Sequence, residues 1–385
     1  MNHPGRRFRR QALIASAVAL GLTLTACGSS GGDSDGPAAG KDSKPAAELA
    51  TEAQAKVAEY AEQAPDDAWA MPTDAVTPGS KKIAYLSCGE QGRECHNVGT
   101  YVGQAATAAG WTMTPILDGK FTPSVQASML QKAVQQKVDA IVIGFVDLNS
   151  IKSAVDEALA ANIPITCVLC SIGAYEGKIQ NGFADLKEMG RRVAWSMLAR
   201  AKGPVKVIAF NDKAFPQVTD KLEGIQEVLS TNCSDCTYKE VPIATSDLAK
   251  PGPPTFTSTI SGNPAGTVTD VVAPFDTFGA PMAKTLLQLN RSDITISGFE
   301  VNEETARGIE TGSLPYSAST GGPYEFWAWS AVDNAIRATQ DLPLVDASDT
   351  PEILVTKDNA AGLDDTYYGP EFDYKAKFTS VWGMN

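Results

Sequence analysis

The chain has 385 residues and a formal charge of −13, from 32 basic and 45 acidic side chains. So acidic a protein is a poor partner for nucleic acid or an anionic lipid surface, both of which attract Lys and Arg. Its length exceeds what one ordinary hydrophobic core organises, and 43% apolar residues suffice to build two.

The first 27 residues have the layout of an export signal. Arg6, Arg7, Arg9 and Arg10 form a basic patch, Ala12 to Thr25 is apolar or small, and Leu24-Thr25-Ala26-Cys27 closes the run. The apolar stretch is well under the ~20 residues of a membrane span, which favours a cleaved signal over a retained anchor. Its last four residues resemble the lipobox of bacterial lipoproteins. That resemblance implies that residues 1–26 are removed as a signal peptide and that Cys27 carries a diacylglyceryl thioether. Losing the four arginines takes the formal charge from −13 to −17.

Residues 27–80 then read as the lipidated Cys, a flexible tether and a possible N-terminal helix ahead of the body. Gly28 to Pro45 has no apolar side chain larger than Ala, so it cannot offset its ordering entropy and is expected to be a flexible tether. Ala46 to Gln63 is rich in Ala and Glu and predicts a helix, with its packing left open. Asp66 to Gly79 is an irregular lead-in that Trp69 and Met71 are placed to pin.

Strands and helices alternate from there. Ile83–Ser87 is a strand, followed by a helix from about Val98 to Ala109 and a strand over Trp111–Ile116. Thr122-Pro123-Ser124 opens a helix to Lys137, with Pro at a tolerated early position. The clearest unit is Val138–Ser171. Ala140–Ile143 is the apolar run of a strand covered on both faces. Asp147, Asn149 and Ser150 offer caps, and Ile151, Ala154, Val155, Ala158 and Leu159 follow on one helical face. Asn162 stops the helix, and Ile165–Leu169 is the next strand. Strands joined in this way are parallel neighbours with a right-handed crossover. Ligands gather beyond the carboxyl ends of such strands, so Gly144–Asp147 and Leu169–Ser171 mark the functional edge.

The rhythm repeats. Asp185–Ala201, Pro216–Leu229, Thr277–Leu289, Glu303–Thr311 and Pro323–Thr339 predict helices. Val205–Phe210, Tyr238–Ile243, Thr269–Ala273, Thr295–Phe299 and Tyr316–Ser319 predict extended segments. Lys250–Asn263 is too rich in Pro, Gly, Ser and Thr for a long helix. Two α/β halves of this kind make a clamshell the economical architecture.

Five segments carry a family resemblance by their order: VDAIVIGFVDLNSIKSAVDEALAANIPI, NGFADLKEMGRRVAWSML, TDKLEGIQEVL, TDVVAPFDTFGAPMAKTL and TISGFEVNEETARGIETGSLPYS. Over about Lys81 to Leu342 the chain resembles the sugar-type periplasmic binding proteins of ABC importers, the ribose-binding-protein group. The resemblance implies an α/β periplasmic-binding-protein type I clamshell, with two Rossmann-like lobes of parallel sheet and a three-strand hinge. Lobe one is then 81–171 plus 320–344, and lobe two 172–319 plus 345–385, with crossovers near Ser171, Ser319–Thr320 and Leu344.

The departures from that pattern bear on the ligand. Leu169 and Cys170 stand where the family has an Asp-Arg pair, Lys221 where it has an arginine, and Phe275-Asp276 where it has Asn-Asp. Glu300 replaces an aspartate, Thr320 falls near a hinge glutamine, and CGEQGRECHN replaces an early aromatic pair. The expected ligand contacts are therefore Glu90, Gln91, Arg93, His96, Asn97, Asp147 and Cys170 from lobe one. Lobe two supplies Lys221, Phe275, Asp276 and Glu300, and the hinge Thr320. Hydrogen bonds to charged groups contribute about 1.5–3 kcal/mol each, so loss of the Asp-Arg pair argues against unmodified pentoses and hexoses as the main ligand. A molecule with an apolar or aromatic portion, cationic towards Asp276 and Glu300, fits better. The alternative is that Glu90, Gln91, Arg93, His96 and Asn97 rebuild a sugar site.

Besides Cys27 there are six cysteines, an even number that reads as disulfides in an exported chain. Cys233 with Cys236 and Cys88 with Cys95 can each close locally. Cys167 and Cys170 on an extended strand would lie about 10 Å apart, beyond disulfide reach. Either the chain turns at Leu169 or Cys170 pairs with Cys88 or Cys95; local pairing is the expectation. A redox CxxC places its first cysteine at a helix N-terminus, unlike Cys167. A metal site from Cys88, Cys95, His96 and Cys170 is chemically open but disfavoured by export.

Enzymatic signals are thin. The only histidines are His3 and His96, and no GxSxG, P-loop or strand-linked GxGxxG is present. An Asp276–Glu300 glycosidase pair stays open. The expected protein is a non-enzymatic, monomeric, cofactor-free receptor. It is held to the outer face of the cell membrane by its lipid alone, and passes a small molecule to an ABC permease. The same clamshell used as an extracytoplasmic sensor, or a surface glycoside hydrolase, are the alternatives.

Overall fold

The computed structural model describes residues 44–384, except 184, 249, 251, 349 and 364–367. The signal segment, Cys27 and nearly all of the tether lie outside the described residues.

The elements follow the expected alternation. Helix α1 (Ala46–Tyr60) precedes β1 (Lys82–Ser87), α2 (Arg93–Ala108), β2 (Thr112–Met113), β3 (Leu117–Asp118) and α3 (Pro123–Gln135). Then come β4 (Ala140–Gly144), α4 (Lys152–Ala160), β5 (Ile165–Val168) and β6 (Gln180–Gly182). These strands form one parallel sheet in the order β2-β1-β4-β5-β6, with β3 also on β1. The strand expected over Trp111–Ile116 is split into β2 and β3 around Pro115, which has no N–H to give to the ladder. Strand β4 is buried along its whole length, as an all-apolar parallel strand must be.

The second lobe holds α5 (Leu186–Arg200), β7 (Lys206–Asn211), α6 (Pro216–Asn232), β8 (Thr237–Pro242), α7 (Thr245–Leu248) and α8 (Pro254–Ser261). It continues with β9 (Asp270–Val272), α9 (Asp276–Gln288), β10 (Thr295–Phe299), α10 (Glu303–Thr311) and β11 (Tyr316–Gly321). After α11 (Tyr324–Ala338) come β12 (Ile353–Val355) and α12 (Tyr374–Val381). The second sheet runs β12-β11-β10-β9-β7-β8, parallel except for β12.

Helices α5 and α6 approach closely because each offers a glycine to the other. A Cβ at Gly190 would collide with the Lys221 carbonyl, and one at Gly224 with the Lys187 carbonyl. That backbone-on-backbone contact fixes the height at which Lys221 enters the lobe interior.

Two boundaries differ from expectation. Strand β6 pairs with β5, so lobe one continues past Ser171 to about Phe183. Helix α12 packs on α11, which itself lies on β4, β5, β6 and α2, so 345–385 does not belong to lobe two as a block. Trp382 stacks on Trp329 at 5.7 Å, and its indole N–H donates to Asp333 at 2.8 Å. Arg337 donates to the same carboxylate at 2.7 Å and to the Asp74 carbonyl at 2.9 Å, tying the lead-in to α11.

The chain passes between the lobes after β6 rather than near Ser171, after β11, and between α11 and β12. Two more join them. Helix α1 packs on α5 and β12 of lobe two before the chain enters β1, and the chain returns from β12 to α12 on lobe one. The α1 expectation is met, and its open question answered: Ala53 is fully buried and Arg192 sits 4.8 Å over the Tyr60 ring.

Candidate functional site: the cleft between the lobes

The loops that leave the carboxyl ends of β1, β4 and β5 face those that leave β7, β9 and β10. A cavity of about 30 Å³ lies where they meet. Its wall is mostly apolar: Phe121, Phe145 and Leu169 from lobe one, with Phe215, Phe275 and Phe278 from lobe two, next to the Cys88–Cys95 disulfide. Phe121 meets Phe215 edge to face at 6.1 Å across the cleft, and Phe215 meets Phe275 likewise at 5.3 Å. The rings thus pack on each other, and the space left is that of one or two water positions. Admitting a solute requires the lobes to part.

The backbone at this place is held in an unusual shape. Phe121, Phe145, Leu169 and Glu300 line the cavity, and all four are non-glycine residues with φ between 50° and 66°. Of the other such residues, Lys137, Asn162, Asn290 and Asp341 sit just past the ends of α3, α4, α9 and α11, an ordinary place for a left-handed residue. Left-handed Phe and Leu cost on the order of 1–3 kcal/mol each, a cost that clusters at binding sites.

The polar part of the wall is Glu94, Gln217, Thr277 and Glu300. Glu94, on the first turn of α2, is 3% exposed. It accepts 2.6 Å from the Thr277 hydroxyl and 3.4 Å from the Asn302 amide, both on lobe two. Burial, and secondly the charge of Glu300, push its carboxyl up to about 7, against the pull of those two donors. Glu300 accepts 2.5 Å from the Lys221 ammonium, and both are buried. Lys221 also lies 5.1 Å from the Phe299 ring centroid and 5.7 Å from that of Phe275.

Of the expected contacts, Phe275 and Glu300 line the cavity and Lys221 reaches it through Glu300. Asp276 does not. It accepts 2.6 Å from Tyr316 and 2.7 Å from Thr305, turned into the lobe, where burial raises its carboxyl to about 7. The Asp276–Glu300 glycosidase pair is therefore not assembled. Gln91, Arg93 and His96 are exposed on the outer face of the loop and α2, Asn97 is half-buried, and His96 pairs with Glu90 at 2.7 Å. None of these five lines the cavity. Asp147 binds the Asn149 amide groups at 3.1 Å, starting the turn before α4. Thr320 is fully buried in β11 with no hydrogen-bond partner for its hydroxyl among the described residues.

The cysteines close as expected at Cys88–Cys95 and Cys233–Cys236. The expected Cys167–Cys170 pairing is not met, and both thiols are free and buried. The chain does turn at Leu169, but the Cys170 thiol points to the Ile143 carbonyl at 3.3 Å, and its backbone is locked by Asn181 at 3.1 and 2.9 Å. With Cys88 bound to Cys95, the Cys88/Cys95/His96/Cys170 metal set has no free thiolate from either. Among the described residues no His, Cys, Asp and Glu cluster suits a metal ion. No described helix is long and apolar enough to cross a membrane.

Glu94 was not among the residues expected at the site. Its signal was present: counting back four from Val98 along the Val98, Val102, Ala105 stripe reaches position 94, whereas Arg93, His96 and Thr100 fall on the other face.

Solved structures share this architecture. A sugar ABC transporter protein from Yersinia enterocolitica subsp. enterocolitica 8081 is 12% identical over 81% of this chain and 99% of its own, with a TM-score of 0.70. An ABC transporter solute-binding protein from Mycobacterium smegmatis, with bound glycerol, is 20% identical over 76% of this chain and 100% of its own, with a TM-score of 0.66. The 5-methylthioribose transporter solute-binding protein from Thermotoga lettingae, in complex with 5-methylthioribose, is 16% identical over 81% and 95%, with a TM-score of 0.63. At these identities the likeness is one of fold. No curated protein matches. The family model described as a periplasmic binding protein domain matches residues 91–341, well over half the chain, and the chain belongs to that family.

Proposed function

We propose that the protein captures a small solute between its lobes and delivers it to an ABC transporter permease. The observation that carries this reading is the cavity at the strand carboxyl ends, walled from both lobes and bridged by Glu94 to Thr277. A solute that touches both walls favours the closed arrangement by the difference in its affinity for the two states, and closure is what a permease reads. Membership of the periplasmic binding protein family and the transporter titles of the similar structures support the same reading.

The protein works outside the cytoplasm as a monomer, held to the membrane through Cys27. The Leu24–Cys27 motif behind four arginines supports the anchor. Cys27→Ala should release the protein from the membrane fraction; a mutant that still fractionates with membranes, beside a wild type without a diacylglyceryl mass, rejects it. The capture function is tested by native mass spectrometry of protein purified without refolding. A retained small molecule whose removal expands the protein in small-angle scattering is the expected result. An unchanged scattering curve on loading a ligand found in this way would exclude lobe closure.

A further inference from the structure

The polar wall of the cavity is spent on one side of the hydrogen-bond ledger. Each of its donor atoms has a partner: the Thr277 hydroxyl Glu94, the Lys221 ammonium Glu300 and the Gln217 amide nitrogen the Leu169 carbonyl at 3.4 Å. Its acceptors are not exhausted. Gln217 lines the cavity, and its carbonyl oxygen is buried with no partner among the described residues. The amide orientation is fixed by chemistry, since exchanging O and N would set the Gln217 oxygen against the Leu169 carbonyl. Each carboxylate has about four lone-pair sites, and that of Glu94 meets the Thr277 and Asn302 side chains and its own backbone N–H, which leaves room for a further donor.

Charge points the same way. With Lys221 cancelling Glu300, ionising Glu94 leaves the wall one unit negative, a state that burial opposes and an opposite charge on the ligand stabilises. The rings already accept a cation, as Lys221 over Phe275 and Phe299 shows. When the lobes part, Phe121 leaves Phe215, and the slot between those faces takes a flat apolar group.

Resting on the solute-capture reading, we propose that the ligand is an organic cation: a primary amine or amidine carried on an aromatic or apolar body, its N–H groups on Glu94 and the Gln217 oxygen, its ring between Phe121 and Phe215. This moves to Glu94 the role that the sequence offered to Asp276. It also places free sugars behind such cations as ligands, because a sugar hydroxyl brings no positive charge to Glu94.

The test is isothermal titration calorimetry of the whole mature protein with four probes: 2-phenylethylamine, 2-phenylethanol, 3-phenylpropionate and D-ribose. The amine should bind at least tenfold more tightly than the alcohol, with no binding by the carboxylate or the sugar. Glu94→Gln should weaken the amine at least tenfold more than it weakens the alcohol. As a readout independent of that variant's folding, amine binding by the wild type near pH 6.5 should release protons, seen as a dependence of the heat on the buffer's ionisation enthalpy. Equal binding of amine and alcohol, absence of amine binding, or absence of proton release overturns the proposal. Ribose binding with contraction in scattering overturns the cation while leaving solute capture intact. A wild type that retains no molecule and contracts with no probe counts against both.

Discussion

The Thr277 hydroxyl on α9 donates to the Glu94 carboxylate on α2 at 2.6 Å, joining the two lobes by a short, buried hydrogen bond. The bond exists only while the lobes are together, so its energy belongs to the closed state. Once Glu94 is ionised, above about pH 7, a hydrogen bond to it contributes about 1.5–3 kcal/mol, enough to shift an open–closed balance tenfold or more.

Thr277→Val keeps the side-chain shape and removes that donor. The variant should be more expanded than wild type in small-angle scattering without ligand, with an unfolding midpoint within a few degrees of it. A scattering curve that superimposes on wild type removes Glu94–Thr277 from the closure mechanism.

Stability should fall as pH rises. Burial raises the carboxyls of Glu94 and Asp276 to about 7 and that of Glu352 to about 8. An unfolded carboxyl titrates near about 4, so between the two values the folded protein keeps protons that the unfolded chain has lost. The contribution is complete below about pH 4 and is lost as pH climbs through 7 to 8. Thermal midpoints measured from pH 5 to pH 8 should decline, with a shallower slope in Glu94→Gln. A rise over that interval contradicts the burial of these carboxyls.

Lys221 and Glu300 form a buried pair, so removing one partner is worse than removing both. Lys221→Met should cost about 3–5 kcal/mol in denaturant unfolding, because Glu300 is left without its counter-ion. The double variant Lys221→Met/Glu300→Gln should recover most of it. A double variant as unstable as the sum of the singles would mean that the two side chains do not interact.

The thiols at Cys167 and Cys170 are buried, and burial pushes the Cys167 thiol well above its ordinary value, keeping it a poor nucleophile. Alkylation of the native protein should leave the peptide containing both unmodified. After unfolding without reductant the same peptide should carry two labels, while Cys88, Cys95, Cys233 and Cys236 stay protected. An unlabelled unfolded peptide would reveal a third disulfide.

The β4–α4–β5 unit was legible because its apolar residues are spaced for a covered strand and a one-faced helix, signals that tertiary context reinforces. Phe275 and Glu300 were legible as site residues because each follows a strand at its carboxyl end. Position along the chain does not report side-chain direction, and there the reading failed. Asp276 follows its strand just as closely, yet Tyr316 and Thr305 draw it into the lobe. Short β6, with the sequence Gln180-Asn181-Gly182, has no apolar pattern to announce it; it is set by pairing with β5 and by Asn181 binding the backbone of Cys170. The loop at Glu90–Asn97 was read as one polar surface, whereas the helix begins at Arg93 and sorts Glu94 inward from its neighbours.

Five stretches of backbone pass between the lobes, and both ends of the described chain contribute one. Each stretch fixes a point that the lobes must share, and several such points together oppose sliding and twisting of one lobe on the other. Opening then separates Phe121 from Phe215 without changing which residue faces which. The two walls meet again in the same register each time they close, so recognition can be written in pairs of facing side chains rather than rebuilt at every cycle.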